Sequence, residues 1–199
     1  MADMEKTGKN LEGRGFRVHR FATGAEAADY LVQTLHGTGI GIGGSVTIDT
    51  LDVYDRLCES NEVFWHWKNH APETRERAGK AETYLCSANG VSENGEIVNI
   101  DGFGNRVAGT IYGPERVFLV VGKNKIAPDL NGAIDRARNI AAPLNARRLN
   151  RHTPCAVGEP RCHDCRSPEK VCGVMTVFFM PPTSIKEFHV ILVDEDLGY

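Results

Sequence analysis

Segments with the spacing of β-strands alternate with segments with the spacing of α-helices along this chain of 199 residues. Apolar residues alternate or run continuously in the first kind and recur every three or four positions in the second. The predicted strands are GFRVHRF (15–21), TGIGIGG (38–44), ETYLCSAN (82–89), RVFLVVG (116–122), VMTVFFM (174–180) and EFHVILV (187–193). The predicted helices run from Thr23 to about Leu35, from about Ile48 to Cys58, over 72–80, and from Asp129 to about Ala142. This alternation predicts an α/β fold with a mostly parallel sheet and helices on both faces.

Local signals refine the predicted elements. RVFLVVG is apolar on both faces, which is typical of a central strand in a parallel sheet. Asn94-Gly95 predicts the turn of a hairpin within ENGEIVNI. Pro143 marks the end of the helix that precedes it. The last two strands, joined through Pro181-Pro182, are expected to form a C-terminal strand pair that extends the sheet.

Charge and composition argue against several classes of protein. The net charge is −3, whereas a nucleic-acid-binding protein usually carries a basic excess. The longest apolar run, VFLVVG, has the length of a strand and is too short to span a bilayer. The first fifteen residues are polar and lack the apolar core of a secretory signal. We therefore expect a cytoplasmic protein with reduced thiols, in which residues 1–14 are a flexible N-terminus and 15–199 a single domain.

The glycine-rich stretch GIGIGGSVT (39–47) leads from a predicted strand into a predicted helix. Glycines let a ligand approach the backbone closely, and the start of a helix offers free N–H groups to an anion. The stretch is not a dinucleotide-binding motif, because Val46 takes the place of the third glycine, and not a Walker A loop, because no lysine follows. A tight turn without a ligand is the alternative. The candidate residues for binding a small carboxylate or phosphate are Gly43, Gly44, Ser45 and Thr47.

The central stretch SANGVSENGEIVNIDGFGNRVAG (87–109) is rich in Asn, Gly and acidic residues. In open α/β sheets, the loops at the carboxyl ends of the strands carry the ligands. Glu93 and Glu96 are the candidate catalytic carboxylates, as a base or a nucleophile. The candidate ligand-binding residues are Asp101, Asn105 and Arg106, of which Arg106 suits a carboxylate or phosphate. The alternative is a hairpin and a turn with solvated acids and a structural Arg–Asp pair.

Four of the six cysteines lie in CAVGEPRCHDCRSPEKVC, within a segment at 150–173 that is rich in proline, glycine and basic residues. They are Cys155, Cys162, Cys165 and Cys172. Structural zinc sites usually use two C-x-x-C or Cys/His knuckles, and only one is present here. A [4Fe–4S] cluster takes one thiolate at each corner and tolerates wider loops. The spacing favours such a cluster, with zinc, disulfides, free thiols and a reactive Cys162–Cys165 dithiol as alternatives.

The other two cysteines and an aromatic stretch receive structural interpretations. Cys58 lies on an apolar helix face and Cys86 in an apolar strand, so both are predicted to lie in the core. VFWHWKNH (63–70) is interpreted as an aromatic patch that packs on the domain or against a second subunit, with a lid or a ligand-stacking loop as the alternatives. A homodimer is compatible with this patch.

Several motifs resemble the LUD (lactate utilisation, LutC-type) domain family. They are GIGGSVT, SANGVSENGEIVNIDGFGNRVAG, YGPERVFLVVGKNKIAPDL and ARNIAAPLNARRLN, and the resemblance runs from about residue 15 to the C-terminus. The cysteine segment and the ending VDEDLGY resemble small single-domain members. The resemblance implies a NagB/RpiA/CoA-transferase-like fold, a ligand near the glycine-rich turn, and a part in the oxidation of lactate to pyruvate beside iron–sulfur proteins. Coenzyme A transferases of that superfamily use a glutamate nucleophile, but no transferase motif surrounds Glu93 or Glu96.

One leading hypothesis and two alternatives follow. The chain is expected to bind a [4Fe–4S] cluster on its four clustered cysteines and to act as an accessory or electron-transfer component in lactate-type organic-acid oxidation. Its redox partner would be an iron–sulfur or flavin protein. The first alternative is a CoA-transferase-like or isomerase-like enzyme with a structural zinc. The second is a regulator that senses redox state or iron without turnover.

Overall fold

The computed structural model describes residues 3–199 of the chain. The α-helices are α1 Met4–Gly13, α2 Gly24–Thr34, α3 Val46–Thr50, α4 Tyr54–Cys58, α5 Thr74–Lys80, α6 Asn105–Ile111, α7 Leu130–Arg136, α8 Ala142–Arg148 and α9 Pro154–Val157. The strands are β1 Arg17–Phe21, β2 Gly39–Ile42, β3 Glu62–Trp65, β4 Thr83–Ser87, β5 Gly90–Ser92, β6 Ile97–Asp101, β7 Arg116–Gly122, β8 Ile126–Ala127, β9 Val174–Phe178 and β10 Glu187–Val193. A 3₁₀ turn covers Lys123–Lys125, and a π-helical segment, Ala137–Ala141, joins α7 to α8.

The main sheet has six strands in the order β1-β10-β7-β4-β2-β3, and all of its strand pairs are parallel. This confirms the predicted α/β fold. Strand β7 lies in the interior of the sheet, and its side chains alternate between two hydrophobic clusters. Val117 and Leu119 face one cluster, and Phe118 and Val120 face the other. A strand that is apolar on both faces is therefore buried on both faces.

Helices flank both faces of this sheet. Helices α2, α3 and α4 cover one face, where Leu31, Ile48 and Leu57 join the core. On the other face, Leu11 of α1 and Ala78 of α5 pack beside residues of a second, four-stranded sheet. Its strand order is β8-β5-β6-β9. The second sheet was not predicted from the sequence.

The predicted hairpin is present, but the predicted C-terminal strand pair is wrong. Strands β5 and β6 are antiparallel, and Gly95 in the turn between them has φ +90°. Strand β9 joins β6 in the second sheet, whereas β10 lies in parallel between β1 and β7 in the main sheet. Every residue from 188 to 193 in β10 is buried, which suits an interior strand, while Val174 and Met175 of β9 remain partly exposed.

The N-terminal segment is helical, which corrects the predicted flexible stretch over 1–14. Residues 1 and 2 lie outside the described part. The side chain of Asp3 caps α1 by accepting a hydrogen bond from the backbone N–H of Lys6 at 2.9 Å. Leu11 is fully buried in the core. A helix with so few apolar residues gives a weak periodic signal, so its docking depends on contacts with distant parts of the chain.

Three further predictions about local structure need correction. The helix predicted over 48–58 is two short helices, separated near Asp52, whose φ is +51°. Cys58 at the end of α4 is exposed, whereas Cys86 is buried as predicted. The helix from 130 does not stop at Pro143 but continues to Arg148, through the π-helical segment. Proline clashes with the carbonyl four residues earlier in an α-helix, and the wider π-helical turn accommodates it.

Candidate ligand cavity and cysteine cluster

Three side chains meet where the adjacent strands β7, β4 and β2 end. Lys125 follows β7, Ser87 is the last residue of β4, and Thr47 lies in the first turn of α3 after β2. The Nζ of Lys125 donates hydrogen bonds to Thr47 Oγ1 at 2.6 Å and to Ser87 Oγ at 2.8 Å. The carboxyl ends of parallel strands are the usual ligand-binding edge of an open α/β sheet. These three residues form the floor of a cavity at this edge.

Lys125 is a buried amine. Its residue is only 2% exposed, although lysine is among the residues least often buried without a charged partner. Within residues 3–199 both acceptors of its Nζ are hydroxyl oxygens, and no carboxylate pairs with it. Burial lowers the pKa of Lys125 to about 7, and the positive charges of Arg136 and Arg106 contribute to the same shift. The neutral form of Lys125 is therefore far more abundant near pH 7 than that of a lysine with the ordinary pKa of 10.5.

Arg106 is held by neutral oxygen atoms rather than by an acid. Its guanidinium donates to Asn99 Oδ1 at 3.1 Å, to Asn89 Oδ1 at 2.7 Å, and to the carbonyl of Ile100. Asp101 accepts hydrogen bonds from the backbone N–H groups of Arg106 and Val107, so it caps α6 instead of pairing with the guanidinium. The predicted structural Arg–Asp pair is absent between these two side chains, and the charge of Arg106 remains available to an anion.

The cavity above this floor is large and positively charged. Its volume is about 750 Å³, within the range of small-molecule sites. The basic residues that line it are Arg75, Arg106, Lys125, Arg148, Arg151 and Lys170, and the acidic ones are Asp101 and Glu169. At the rim the guanidinium of Arg148 lies 4.5 Å from the ring centre of Trp67, which keeps this cation beside the cavity. The excess of positive charge favours an anionic ligand.

Most of the predicted ligand-binding residues come together here. Gly44, Ser45, Thr47, Asp101, Asn105 and Arg106 line the cavity. Gly43 lies beside it, because a Cβ at this position would be 3.1 Å from Arg106 Cγ and 3.0 Å from the Tyr84 hydroxyl. Val46 and Thr47 belong to a helix of only one turn, so the positive charge of the cavity comes mainly from side chains rather than from a helix dipole.

The two predicted catalytic glutamates lie elsewhere. Glu93 pairs with Lys6 at 3.0 Å, and this hydrogen bond lowers the pKa of Glu93. Glu96 pairs with Arg14. Strand β6 separates Glu96 from Asp101 in the cavity, and its five residues span roughly 17 Å. Both glutamates therefore connect the hairpin to the N-terminal segment, through Lys6 in α1 and Arg14 directly after it. Neither glutamate lines the cavity.

Lys125, Ser87 and Arg136 were not among the predicted site residues. Arg136 is 7% exposed and donates to the backbone carbonyls of Asn124 and Asn89. Burial lowers the pKa of Arg136 to about 10. The signal that would have pointed to Lys125 is its place directly after the most apolar strand of the chain, since polar residues at that point of a parallel sheet face the ligand-binding edge.

The four clustered cysteines line one small cavity of their own. Among residues 3–199 all six cysteines are free thiols, so the predicted alternative of disulfides is not found in the described part. Arg138 donates a hydrogen bond to Cys162 Sγ at 3.3 Å. Burial raises the pKa of Cys172; the positive charge of Lys170 opposes this shift, and the other three cysteines add to it. In residues 3–199, no group of three or more Cys, His, Asp or Glu side chains is arranged to hold a metal ion.

The cysteine cavity and the ligand cavity share a wall. Ala142, Lys170 and Val171 line both of them. A Cβ at Gly102 would lie 2.7 Å from the Cα of Val171, so the loop after β6 packs tightly against the cysteine segment. The cysteine segment is therefore part of the ligand cavity and not a separate appendage.

The aromatic stretch 63–70 begins as the edge strand β3 and then reaches the cavity. Trp65 is 1% exposed and stacks on Trp67 with their ring centres 5.6 Å apart, while His66, Trp67 and His70 line the cavity. The predicted patch thus packs on its own domain. In residues 3–199 we find no helix of sufficient length and apolar character to cross a membrane.

The chain forms an α/β domain with a cavity lined by basic residues at the carboxyl ends of parallel strands. The chain belongs to the LUD domain family, whose model matches residues 4–193, and this family is associated with lactate utilisation. The match confirms the resemblance and extends it over α1. A crystal structure of a DUF162 family protein from Deinococcus radiodurans has the same fold, with a TM-score of 0.56 and 14% identity over 96% of this chain and 95% of that one. No curated protein sequence matches this chain.

Proposed function

We propose that this LUD-domain protein is an accessory or electron-transfer component of lactate-type organic-acid oxidation. It would hold a [4Fe–4S] cluster on Cys155, Cys162, Cys165 and Cys172 and a small carboxylate in the neighbouring cavity. The observation that carries the proposal is the shared wall of the two cavities. A redox centre and an organic acid would be neighbours at this wall.

The spacing of the four cysteines along the chain favours an iron–sulfur cluster over a single zinc ion. A closed zinc site needs four ligand atoms within about 2.3 Å of one point. The four cysteines line one cavity, although no group of three or more metal-binding side chains in residues 3–199 is arranged to hold a single ion. A four-iron cluster takes one thiolate at each of its corners, so its ligands stand farther apart. Arg138 and Lys170 beside the thiols would offset the negative charge of four thiolates.

The charge of the larger cavity supports a carboxylate ligand. The residues that line it include six basic and two acidic side chains. One of the acids, Asp101, already accepts hydrogen bonds from the backbone of α6. A small carboxylate would neutralise part of this excess.

A bound cluster would supply a one-electron redox couple, and an electron-transfer role needs a partner protein that exchanges electrons with the cluster. An iron–sulfur or flavin protein is the expected class of partner. The CoA-transferase alternative has less support, because Glu93 and Glu96 lie outside the cavity.

The test is anaerobic purification followed by iron, sulfide and zinc analysis and a visible spectrum of the same sample. We expect about four irons and four sulfides per chain, as a cluster on four thiolates requires. Cys162→Ser should lose most of the iron and colour. Cys58→Ser is the matched control, because Cys58 is exposed and lies outside the cysteine cavity. A colourless protein with about one zinc, or full iron in Cys162→Ser, would contradict the proposal.

A further inference from the structure

The hydrogen bonds of Lys125 match those of a neutral amine. The Ser87 hydroxyl donates its own proton to the carbonyl of Val120 at 2.6 Å, and the Thr47 hydroxyl donates to the carbonyl of Leu197 at 3.2 Å. Both hydroxyl oxygens are therefore acceptors toward Lys125. A neutral amine has two N–H donors and one lone pair, whereas an ammonium group has three donors. Within residues 3–199 the two hydroxyl oxygens are the acceptors of Lys125 Nζ, so the third tetrahedral position of the nitrogen suits a lone pair.

Within residues 3–199, no opposite charge compensates the burial of this amine. A buried charge is normally paired with an opposite charge, because desolvation is costly. The positive charges of Arg136 and Arg106 disfavour an ammonium group at Lys125. A methyl or methylene group would fill the same space without that cost. A lysine at the floor of a ligand cavity is instead suited to nucleophilic chemistry on a carbonyl group.

We propose that Lys125 is a nucleophile that forms an imine with the carbonyl carbon of a 2-oxo acid bound in the ligand cavity. The choice of a 2-oxo acid rests on the proposed function, because such acids are the products of 2-hydroxy-acid oxidation. The amine itself and its surroundings do not depend on that function.

The reaction balances without an added oxidant or reductant. The lone pair of Nζ attacks the carbonyl carbon, and the carbonyl oxygen takes up a proton to give a carbinolamine. The C–O bond then breaks, and the oxygen leaves as water with the two hydrogens that Nζ loses. Thr47 and Ser87 hold the nitrogen during the attack. The guanidinium group of Arg106, which lines the cavity, favours the carboxylate of the acid.

The imine would have a chemical consequence that can be measured. Once protonated, it withdraws electrons from the neighbouring carbon, so a hydrogen on that carbon is lost to solvent more readily. With pyruvate as the ligand, the methyl hydrogens should exchange with deuterium from the solvent in the presence of the protein.

Reductive trapping on the unmodified protein tests the proposal directly. Pyruvate and cyanoborohydride are added near pH 7, and the modified lysines are located by peptide mass spectrometry. We expect adduct at Lys125 at a yield at least about tenfold above that at exposed lysines such as Lys123, because burial lowers the pKa of Lys125 and so raises its neutral, nucleophilic fraction near pH 7. Lactate, which has a hydroxyl group in place of the keto group, should give no adduct, and acetone, which has no carboxylate, should give less. Methyl exchange should be lost in Lys125→Met and kept in Lys123→Arg.

Absence of adduct at Lys125, or equal modification of exposed lysines, would overturn the proposal, and this result does not depend on how a variant folds. Iron and sulfide are measured on the same sample. A protein with a full complement of iron and no adduct would overturn the imine alone. A protein with adduct at Lys125 and no iron would overturn the cluster and leave the imine standing.

Discussion

The backbone N–H of Cys162 donates a hydrogen bond to the side-chain oxygen of Asn139 at 2.9 Å. Asn139 lies in the π-helical segment, and Cys162 lies in the middle of the cysteine segment. The continuous helix from Leu130 to Arg148 consists of α7, the π-helical segment and α8. This bond fixes the cysteine segment to the π-helical part of that long helix. π-Helical turns occur often at functional sites, and here the turn presents the side chain of Asn139 to the cysteine segment.

We expect Asn139→Ala to loosen the cysteine segment without unfolding the domain. The loss of one hydrogen bond to a partly buried N–H costs about 1 kcal/mol locally. Amide hydrogen exchange at Cys162 should become faster, and purified protein should retain less iron than the wild type. Asn131→Ala, at an exposed position of the same long helix, is the control and should change neither quantity. Unchanged exchange at Cys162 would show that the bond does not hold the segment.

The pKa of Lys125 predicts a pH dependence of stability. Burial lowers this pKa from its ordinary value of 10.5 to about 7. Between these two values the unfolded chain binds a proton that the folded protein does not, so this group makes the protein more stable as pH rises through the window. The destabilising effect is complete below pH 7. Lys125→Met removes it, so the stability of the variant relative to wild type should fall by up to about 1.4 kcal/mol per pH unit as pH rises in this window.

Urea unfolding at several pH values from 6 to 9 would measure this difference, because the other titrating groups are common to both proteins. Lys123→Met removes an exposed lysine two residues away and should leave the slope of wild type unchanged. Parallel profiles for wild type and Lys125→Met would contradict the lowered pKa.

Two adjacent glycines should respond differently to alanine. A Cβ at Gly43 would meet the Tyr84 hydroxyl at 3.0 Å and Arg106 Cγ at 3.1 Å, whereas a Cβ at Gly44 would meet Trp67 at 3.4 Å, an ordinary contact. Gly43→Ala should therefore lower the free energy of unfolding by about 1–3 kcal/mol, the usual cost of overpacking, and displace Arg106. Gly44→Ala should change it little. Chemical denaturation of the two variants is the measurement, and equal stabilities would show that Arg106 adjusts without cost.

Glu96→Gln should affect stability rather than ligand binding. Glu96 is 9% exposed and pairs with Arg14, so its neutralisation leaves a partly buried guanidinium without its counter-charge. We expect a loss of about 1–3 kcal/mol in unfolding free energy and an unchanged dissociation constant for pyruvate measured by calorimetry. Glu5→Gln, which disrupts an exposed pair with Lys9, is the control for stability. If the Glu96→Gln variant is fully folded but binds pyruvate more weakly, Glu96 contributes to ligand binding and the prediction is wrong.

Local patterns predicted the elements that depend on local chemistry. The Asn94-Gly95 dipeptide predicted the turn because glycine adopts positive φ readily, as Gly95 does in the structure. The two apolar faces of β7 predicted its burial. The glycine-rich turn and Arg106 were predicted to contribute to one site because both follow strand ends, and the structure places them beside each other.

Features that depend on contacts between distant parts of the chain could not be predicted from local sequence patterns. The position of β10 is set by its pairing with strands far away along the chain, and its apolar pattern is equally compatible with several neighbours. Lys125 lies in the polar run KNK, which is typical of a surface turn. It is buried because the carboxyl ends of three strands meet around it, and this arrangement cannot be seen in the local sequence. Glu93 and Glu96 are close to Asp101 in sequence, but an extended strand carries them apart.

The interior position of β10 also determines when the main sheet can form during protein synthesis. Strand β1 pairs with β10, so Arg17 has no partner in the sheet until His189 has been made. A chain emerging from the ribosome must keep β1 and the inner edge of β7 unpaired until its final strand arrives, and such long-range pairing makes folding slow. During that interval both edges are open to other chains, and a nascent chain that stalled before residue 187 would expose them permanently.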